Sequence, residues 1–263
     1  MTYLQDMGFH DGSGRDRLRT LMLMQEEGEE IVAGGARYLK LAVDDRLELW
    51  TRIIEGEPEG YLHSYFVGDS RFPVALLERT PRAKRVMSDG AFYCRAKPVQ
   101  GDGWIAGQLP FVFDAPDYHC YDHLSLPCVA VAQLTASASQ LIGYEDEDEY
   151  EEANPPDEEG YGWQARHFVP ACMVEPRGEG GELQIAGATV SGFVLDTAIL
   201  TNPLTGIDFC WALIESICGV VDVICAPDDL EGYLHTGGVA SANCFLTGRI
   251  LDCASVEPAN EGR

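Results

Sequence analysis

Apolar residues in this chain come in short runs closed off by Gly, Pro and Asp: "YLHSYF" at 61–66, "PVALLERT" at 73–80, "AFYCRA" at 91–96 and "PFVFDAP" at 110–116. Runs that short, interrupted that often, predict the strands of a meander. They do not alternate with helices, so a parallel βαβ sheet is not expected. Before them, "ARYLKLAVDDRLELWTRII" reads as a hairpin turning at Asp44-Asp45, with Leu39, Leu41 and Val43 on one face and Leu47, Leu49, Thr51 and Ile53 on another. Further on, Ala132, Leu134, Ala136 and Ala138 alternate with Gln133, Thr135, Ser137 and Ser139, which predicts a half-exposed strand.

One helix is expected, near the start. In "SGRDRLRTLMLMQEEGEEI" Ser13 can cap, Asp16 follows three residues later, and Leu18, Leu21 and Met22 recur at helical spacing, with Gly34-Gly35 as the stop. After the meander comes "EDEDEYEEANPPDEE", 145–159, with ten carboxylates and no basic residue. Self-repulsion and Pro155-Pro156 predict a solvated loop or a short exposed helix stopping at Asn154. It is the best boundary, and gives an N-terminal helical segment (1–34), a β-meander region (35–144), an acidic loop or linker (145–160) and a β domain (161–263).

In that last part, strands are predicted at 188–200, 207–217, 220–226 and 239–251. Phe209, Trp211, Leu213 and Ile217 on one face of the second, and Cys210, Ala212, Ile214 and Cys218 on the other, require cover on both sides. Gly192 and Gly248 interrupt the first and last where tight coiling needs a residue without Cβ. "VSGFV", "FCWALIESICGVVDVICAP" and "GGVASANCFLTGRI", within 185–252, together resemble an OB-type barrel at the level of pattern. No fifth strand is evident, and 227–238 is short for the helix usual there; a β-sandwich or another small barrel satisfies the same pattern. The expected class is therefore mainly β: an N-terminal helix, an antiparallel meander, and an OB-like barrel or sandwich.

With 263 residues and 46% apolar content the chain can fill a core without disulfides or metal. Nine scattered cysteines, none in C-x-x-C pairs, read as reduced thiols of a cytoplasmic protein. The N-terminus has charges where an export signal needs an apolar stretch, and the longest uncharged run, 124–144, contains Pro127 and several polar residues, so no membrane contact is expected.

The stretch "PDYHCYDHLSLPC", 116–128, concentrates the residues that could carry chemistry. In a helix His119 and His123 would lie one turn apart and could take zinc with Asp122. Pro116 and Pro127 favour a turn-rich segment instead, and companion ligand motifs are missing. A Cys120 nucleophile needs a histidine such as His167 or His235 brought to it by the fold. There is no G-x-S-x-G, and "GEGG" at 178–181 lacks the Lys-Ser/Thr of a phosphate loop. Asp228-Asp229 reads as a turn.

Net charge is −25, and 161–263 holds only Arg166, Arg177, Arg249 and Arg263 against thirteen acids. That disfavours the nucleic acid an OB-type barrel would suggest. The expected partner is another, basic protein, met through Glu145, Asp146, Glu147, Asp148, Glu149, Glu151 and Glu152, in the manner of an immunity or inhibitor protein and without a cofactor. The competing class is a metal- or Cys/His-dependent enzyme around 119–123, and a third is an assembly component. Arg79, Arg82, Lys84 and Arg85 in "ERTPRAKRV" form the one basic concentration, a charged loop that could also pair with the acidic segment.

Overall fold

The computed structural model describes residues 4–10, 14–54, 62–82, 88–96, 109–157, 159, 162–171 and 185–254. Ser13, Lys84, Arg85, Cys172, Arg177, 178–181 and Arg263 lie outside the described residues.

Helix α1 spans Gly14–Glu27 and buries Leu21 and Met24. It is shorter than expected. Past Gly28, Glu29–Ala33 forms strand β1, because Ile31 and Val32 suit a pleated surface. Gly34 and Gly35 are the turn of a hairpin rather than a helix stop, with φ of +56° and +76°, the left-handed pair such a turn demands. Strands β2 (Ala36–Ala42), β3 (Leu47–Arg52) and β4 (Leu62–Phe66) complete a four-stranded antiparallel sheet. The predicted turn at Asp44-Asp45 is present, and the Asp44 carboxylate accepts from the Arg46 and Leu47 amides.

The second sheet has ten strands: β5 (Phe72–Pro81), β6 (Gly90–Ala96), β7 (Leu109–Ala115), β8 (Cys128–Tyr144), β9 (His167–Pro170), β10 (Gly187–Thr201), β11 (Asp208–Glu215), β12 (Val220–Cys225), β13 (Leu230–Gly232) and β14 (Val239–Ala254). The class is mainly β, as the sequence predicts. Two pairings beyond the linear order, β10 with β11 and β8 with β14, close this sheet into two rings.

In the first ring the meander β5, β6, β7 is closed by β8 against β5 and by β14 parallel to β7, at Thr247 and Asp114. In the second, the meander β10, β11, β12 is closed by β14 against β10 and by β8 parallel to β12, at Thr135 and Asp222. The antiparallel ribbon of β8 and β14 belongs to both, so each barrel has five strands. The OB-like pattern is the second ring, and its fifth strand is β8, which comes from before the acidic segment. At 227–232 a short 3-10 turn and β13 stand where a helix is usual. Residues 145–160 join two strands of one continuous sheet.

The two rings repeat one plan. A three-stranded meander leads to a 3-10 turn, at Tyr118–Tyr121 and at Pro227–Asp229, and then to a long strand. Ala-Pro-Asp precedes or opens each turn, at 115–117 and 226–228, and each long strand holds a Leu-Thr pair, at 134–135 and 246–247.

One apolar core runs through both barrels, since Ala130, Ala132, Leu134, Ala136, Ala138 and Leu141 of β8 face inward along its whole length. Phe72, Phe92, Phe111, Phe113 and Phe168 fill the first barrel, with ring centroids 5.3 to 6.3 Å apart. Each buried phenyl contributes roughly 1.5–3 kcal/mol. Phe209, Trp211 and Ile224 point the other way, into a second cluster with Leu21, Met24, Leu47, Leu49 and Phe66. Strand β11 is thus covered on both sides, as expected.

The β8 ribbon departs from expectation. Gln133, Thr135 and Ser137 are 2%, 0% and 2% exposed, not half-exposed, because the four-stranded sheet and its following loop cover them. Phe66 supplies a carbonyl to the Gln133 amide and the Thr135 hydroxyl, and Tyr65 bonds the Gln133 side chain. At Gln133 and Thr135 polar alternation marks hydrogen bonds to protein rather than to water, while the buried Ser137 hydroxyl has no hydrogen-bond partner among the described residues.

Candidate functional site

The stretch 117–123 forms a 3-10 turn at Tyr118–Tyr121, not the helix that would align His119 with His123. His119 Nδ1 lies 3.1 Å from Asp122 Oδ2, and Arg79 binds the other oxygen of that carboxylate. Burial opposes the charge on Asp122, but the hydrogen bonds from His119 and Arg79 outweigh it and hold the carboxyl below its usual range. His123 is exposed. Among the described residues no group of three or more His, Cys, Asp or Glu side chains is set to hold a metal ion. Cys120 is pushed up to about 11, by burial first and then by Asp117, the reverse of what a nucleophilic thiolate requires.

The basic stretch at 79–85 is also committed inward where it is described. Arg79 stacks 4.4 Å from the Tyr118 ring, and Arg82 is buried against Asp114 at 2.6 Å. Neither guanidinium is presented to the acidic segment as a loop charge would be.

A second charged cluster fills the space between the four-stranded sheet and the first-barrel end of the ribbon. The Arg249 guanidinium lies 4.9 Å from the Trp50 ring and 4.3 Å from the Tyr65 ring. Glu48 pairs with Arg249 and, at 2.7 Å, with Lys40, while Trp50 Nε1 donates to it at 2.9 Å. Asp117 Oδ2 completes the cluster, 3.4 Å from Arg249 Nε and accepting from the Tyr121 hydroxyl at 2.8 Å. A cation between two aromatic faces, with carboxylates on either side, is a strong and directional arrangement. Here the chain fills it with its own arginine.

The outer face of the ribbon at its second-barrel end also brings aromatic rings together, but with uncharged polar neighbours and an open cleft. Gln140, Ile142 and Tyr144 of β8, Ser241 and Asn243 of β14, Thr189 of β10, and His167 and Val169 of β9 line a cleft of about 270 Å³. Its floor is a polar ladder: the Thr189 hydroxyl donates to Asn243 Oδ1 at 3.0 Å, and Gln140 Nε2 donates to Glu231 at 2.9 Å. Its wall is a chain of rings, Tyr144 to Tyr150 at 5.2 Å, Tyr150 to His167 at 6.5 Å and His167 to Trp163 at 5.3 Å. Trp163 is 59% exposed. Burial lowers the His167 pKa, outweighing the opposite pull of the Gln164 carbonyl 2.9 Å from Nδ1, so the ring is a neutral wall at neutral pH.

Helix α2, Glu147–Ala153, forms the rim and contributes Tyr150 and, just past its end, Asn154. It is the short helix stopping at Asn154 that the sequence predicts. The Asp146 carboxylate caps it by accepting from the Glu149 amide, Glu149 reaches back to the Glu145 amide at 2.5 Å, and Asn154 Nδ2 closes the far end on the Tyr150 carbonyl at 2.8 Å. Tyr150 is buried against Tyr144, Ala165 and Val239, which fixes the helix to the sheet. Glu145, Asp146, Glu147, Asp148, Glu149, Glu151 and Glu152 are all exposed. Glu145 lies 3.4 Å from His235 Nε2. Among the described residues no Lys or Arg pairs with Glu147, Asp148, Glu151 or Glu152.

Sequence reasoning located the acidic rim but missed the groove beside it. Its lining comes from segments a hundred residues apart, and Trp163 in "GYGWQARHF" was the one local hint. A larger cleft of about 630 Å³ lies along α1, but its rim mixes Asp16 and Glu26 with Arg17 and Arg19 and favours no ligand charge. No family model, curated protein or solved structure matches this chain.

Proposed function

We propose that this chain is a non-catalytic binding protein that covers a basic protein, in the manner of an immunity or inhibitor protein, and that α2 is its contact ridge. The observation carrying this reading is the fixed presentation of uncompensated carboxylates. A cap at each end and a buried Tyr150 anchor hold Glu147, Asp148, Glu151 and Glu152 toward solvent with no cation of their own chain among the described residues. A preformed acidic surface speeds encounter with a cationic partner and loses little entropy on docking.

A cytoplasmic setting, expected from the scattered spacing of the cysteines, is part of the same proposal. No helix among the described residues is long and apolar enough to cross a membrane. The test is capture from the native cell with immobilised protein, comparing the wild type with a variant carrying Gln or Asn at 147, 148, 151 and 152. A basic protein retained by the wild type and lost by the variant is expected. Equal retention by both would remove α2 as the contact surface.

A further inference from the structure

Resting on the basic-partner reading, we infer that the groove beside α2 is a cation site, which receives one lysine or arginine side chain of that partner against the Trp163 ring. Three observations converge on this occupant. Trp163 and His167, packed at 5.3 Å and backed by the buried Tyr150, form an aromatic wall, and the exposed face of Trp163 attracts a cation. Helix α2, which lends Tyr150 to the lining and is followed there by Asn154, carries exposed carboxylates along its length, so the sign of the neighbouring field matches. The volume, about 270 Å³, suits one long side chain and is small for a folded element.

The same molecule carries an occupied version of this arrangement. At the other end of the ribbon's outer face, Trp50 and Tyr65 enclose Arg249 while Glu48 neutralises it. The second-barrel groove has aromatic rings too, with its acids on the adjoining helix, but its nearest arginine in sequence is directed elsewhere: Arg166 sits 5.5 Å from the Phe193 ring and 3.0 Å from Glu215. The floor adds selectivity. Ser241, Thr189, Asn243 and Gln140 bring hydrogen-bonding groups to the end of the cleft, where an ammonium or guanidinium tip would finish its donors and an apolar side chain would not.

The groove can be probed without knowing the partner. The full chain is titrated by calorimetry with octalysine at about 0.15 M salt, where long-range attraction is screened beyond about 8 Å. The expected result is binding that weakens roughly tenfold in Trp163→Ala, the size of a partly desolvated cation–π contact. Trp163→Phe is expected to stay near the wild type, and octalysine with every side chain acetylated should not bind. Trp163 is exposed, so neither substitution threatens the fold, and far-ultraviolet circular dichroism checks this. Equal affinity in wild type and Trp163→Ala, together with loss in the variant neutralised at 147, 148, 151 and 152, overturns the cation site and leaves the acidic ridge standing. Failure of the wild type to bind octalysine at all overturns the basic-partner reading and the site with it.

Discussion

Thr135 of β8 stands directly opposite Thr247 of β14, and each is also the residue at which its strand meets a parallel neighbour, Asp222 for Thr135 and Asp114 for Thr247. The two barrels are therefore related about this one cross-strand pair. Exchanging β8 for β14 turns the pairings of one ring into those of the other. Both aspartates are buried, yet they are satisfied differently: Asp114 by the Arg82 guanidinium, Asp222 by four hydrogen bonds and, among the described residues, no cation.

Removal of either is costly, of Asp114 because the buried Arg82 charge loses its carboxylate, of Asp222 because several donors lose one acceptor. The Asp222 oxygens accept from the Asp69 and Ser70 amides, Gln133 Nε2 and Trp211 Nε1, and the side chain ties the loop before β5 to the second barrel. Asp222→Ala leaves the buried Ser70 amide and Trp211 Nε1 without this acceptor, while Gln133 Nε2 keeps the Phe66 carbonyl. A loss of about 3–5 kcal/mol in urea unfolding is expected, and a loss below about 1 kcal/mol would show that water replaces the carboxylate easily.

Asp6 sets a pH dependence. Burial, helped by Asp229, raises its pKa to about 7 from an ordinary value of 3.8. Between those two values the native state holds a proton that the unfolded chain has lost, so this group's contribution to stability is complete below about pH 4 and declines until the pH passes about 7. Asp6→Asn removes the decline. Thermal unfolding at pH 8 should show the variant more stable by about 1–2 kcal/mol, with the advantage gone near pH 4. A constant difference across that range would exclude Asp6 as its source.

Gly192 tests the closure of the second barrel. A Cβ there would collide with the Glu215 carbonyl, a backbone atom that cannot swing aside. Gly192→Ala must push β10 from the end of β11 and is expected to cost about 3 kcal/mol or more. Gly206→Ala offers a contrast: it is a turn glycine at φ +72° with open space around it, so only backbone strain of about 1 kcal/mol should appear.

Helix α2 should loosen in two separable steps. Asp146→Ala removes the cap and costs about 1 kcal/mol, leaving the helix seated by Tyr150. Tyr150→Ala empties a packed site and should cost about 3 kcal/mol or more. In hydrogen exchange, the amides of 147–153 should gain exchange rate in both variants, and much more in the second. Protection unchanged in Tyr150→Ala would mean that the helix is held by something other than its anchor.

Strand positions were legible where the turn chemistry is explicit, at Asp44 and at the Pro- and Gly-bounded runs; Gly34-Gly35, read as a helix stop, is instead a hairpin turn, and β1 before it went unread. What escaped was closure. Ring formation depends on β8 pairing with strands on both sides of the acidic segment, and periodicity reports the face of a strand, not its neighbours. The Ala-Pro-Asp and Leu-Thr repeats are too short to announce a duplicated plan. At the site, the spacing of His119 and Asp122 was visible, but their commitment to Arg79 was not, since Arg79 arrives from β5. The acidic ridge could be read directly; the rings behind it could not, because Tyr144, Tyr150, Trp163 and His167 carry no signal of convergence until β9 and β10 pair.

The shared ribbon also dictates an order of events during synthesis. Although all of β5 to β8 leaves the ribosome well before β14, the first meander cannot close without Thr247 and its neighbours, and the second cannot close without β8 already waiting. Both barrels thus reach completion together, when the last strand emerges. Until then the nascent chain carries two half-built cores with open edges. Any chain truncated before residue 239 should lose both barrels at once, rather than keep one intact.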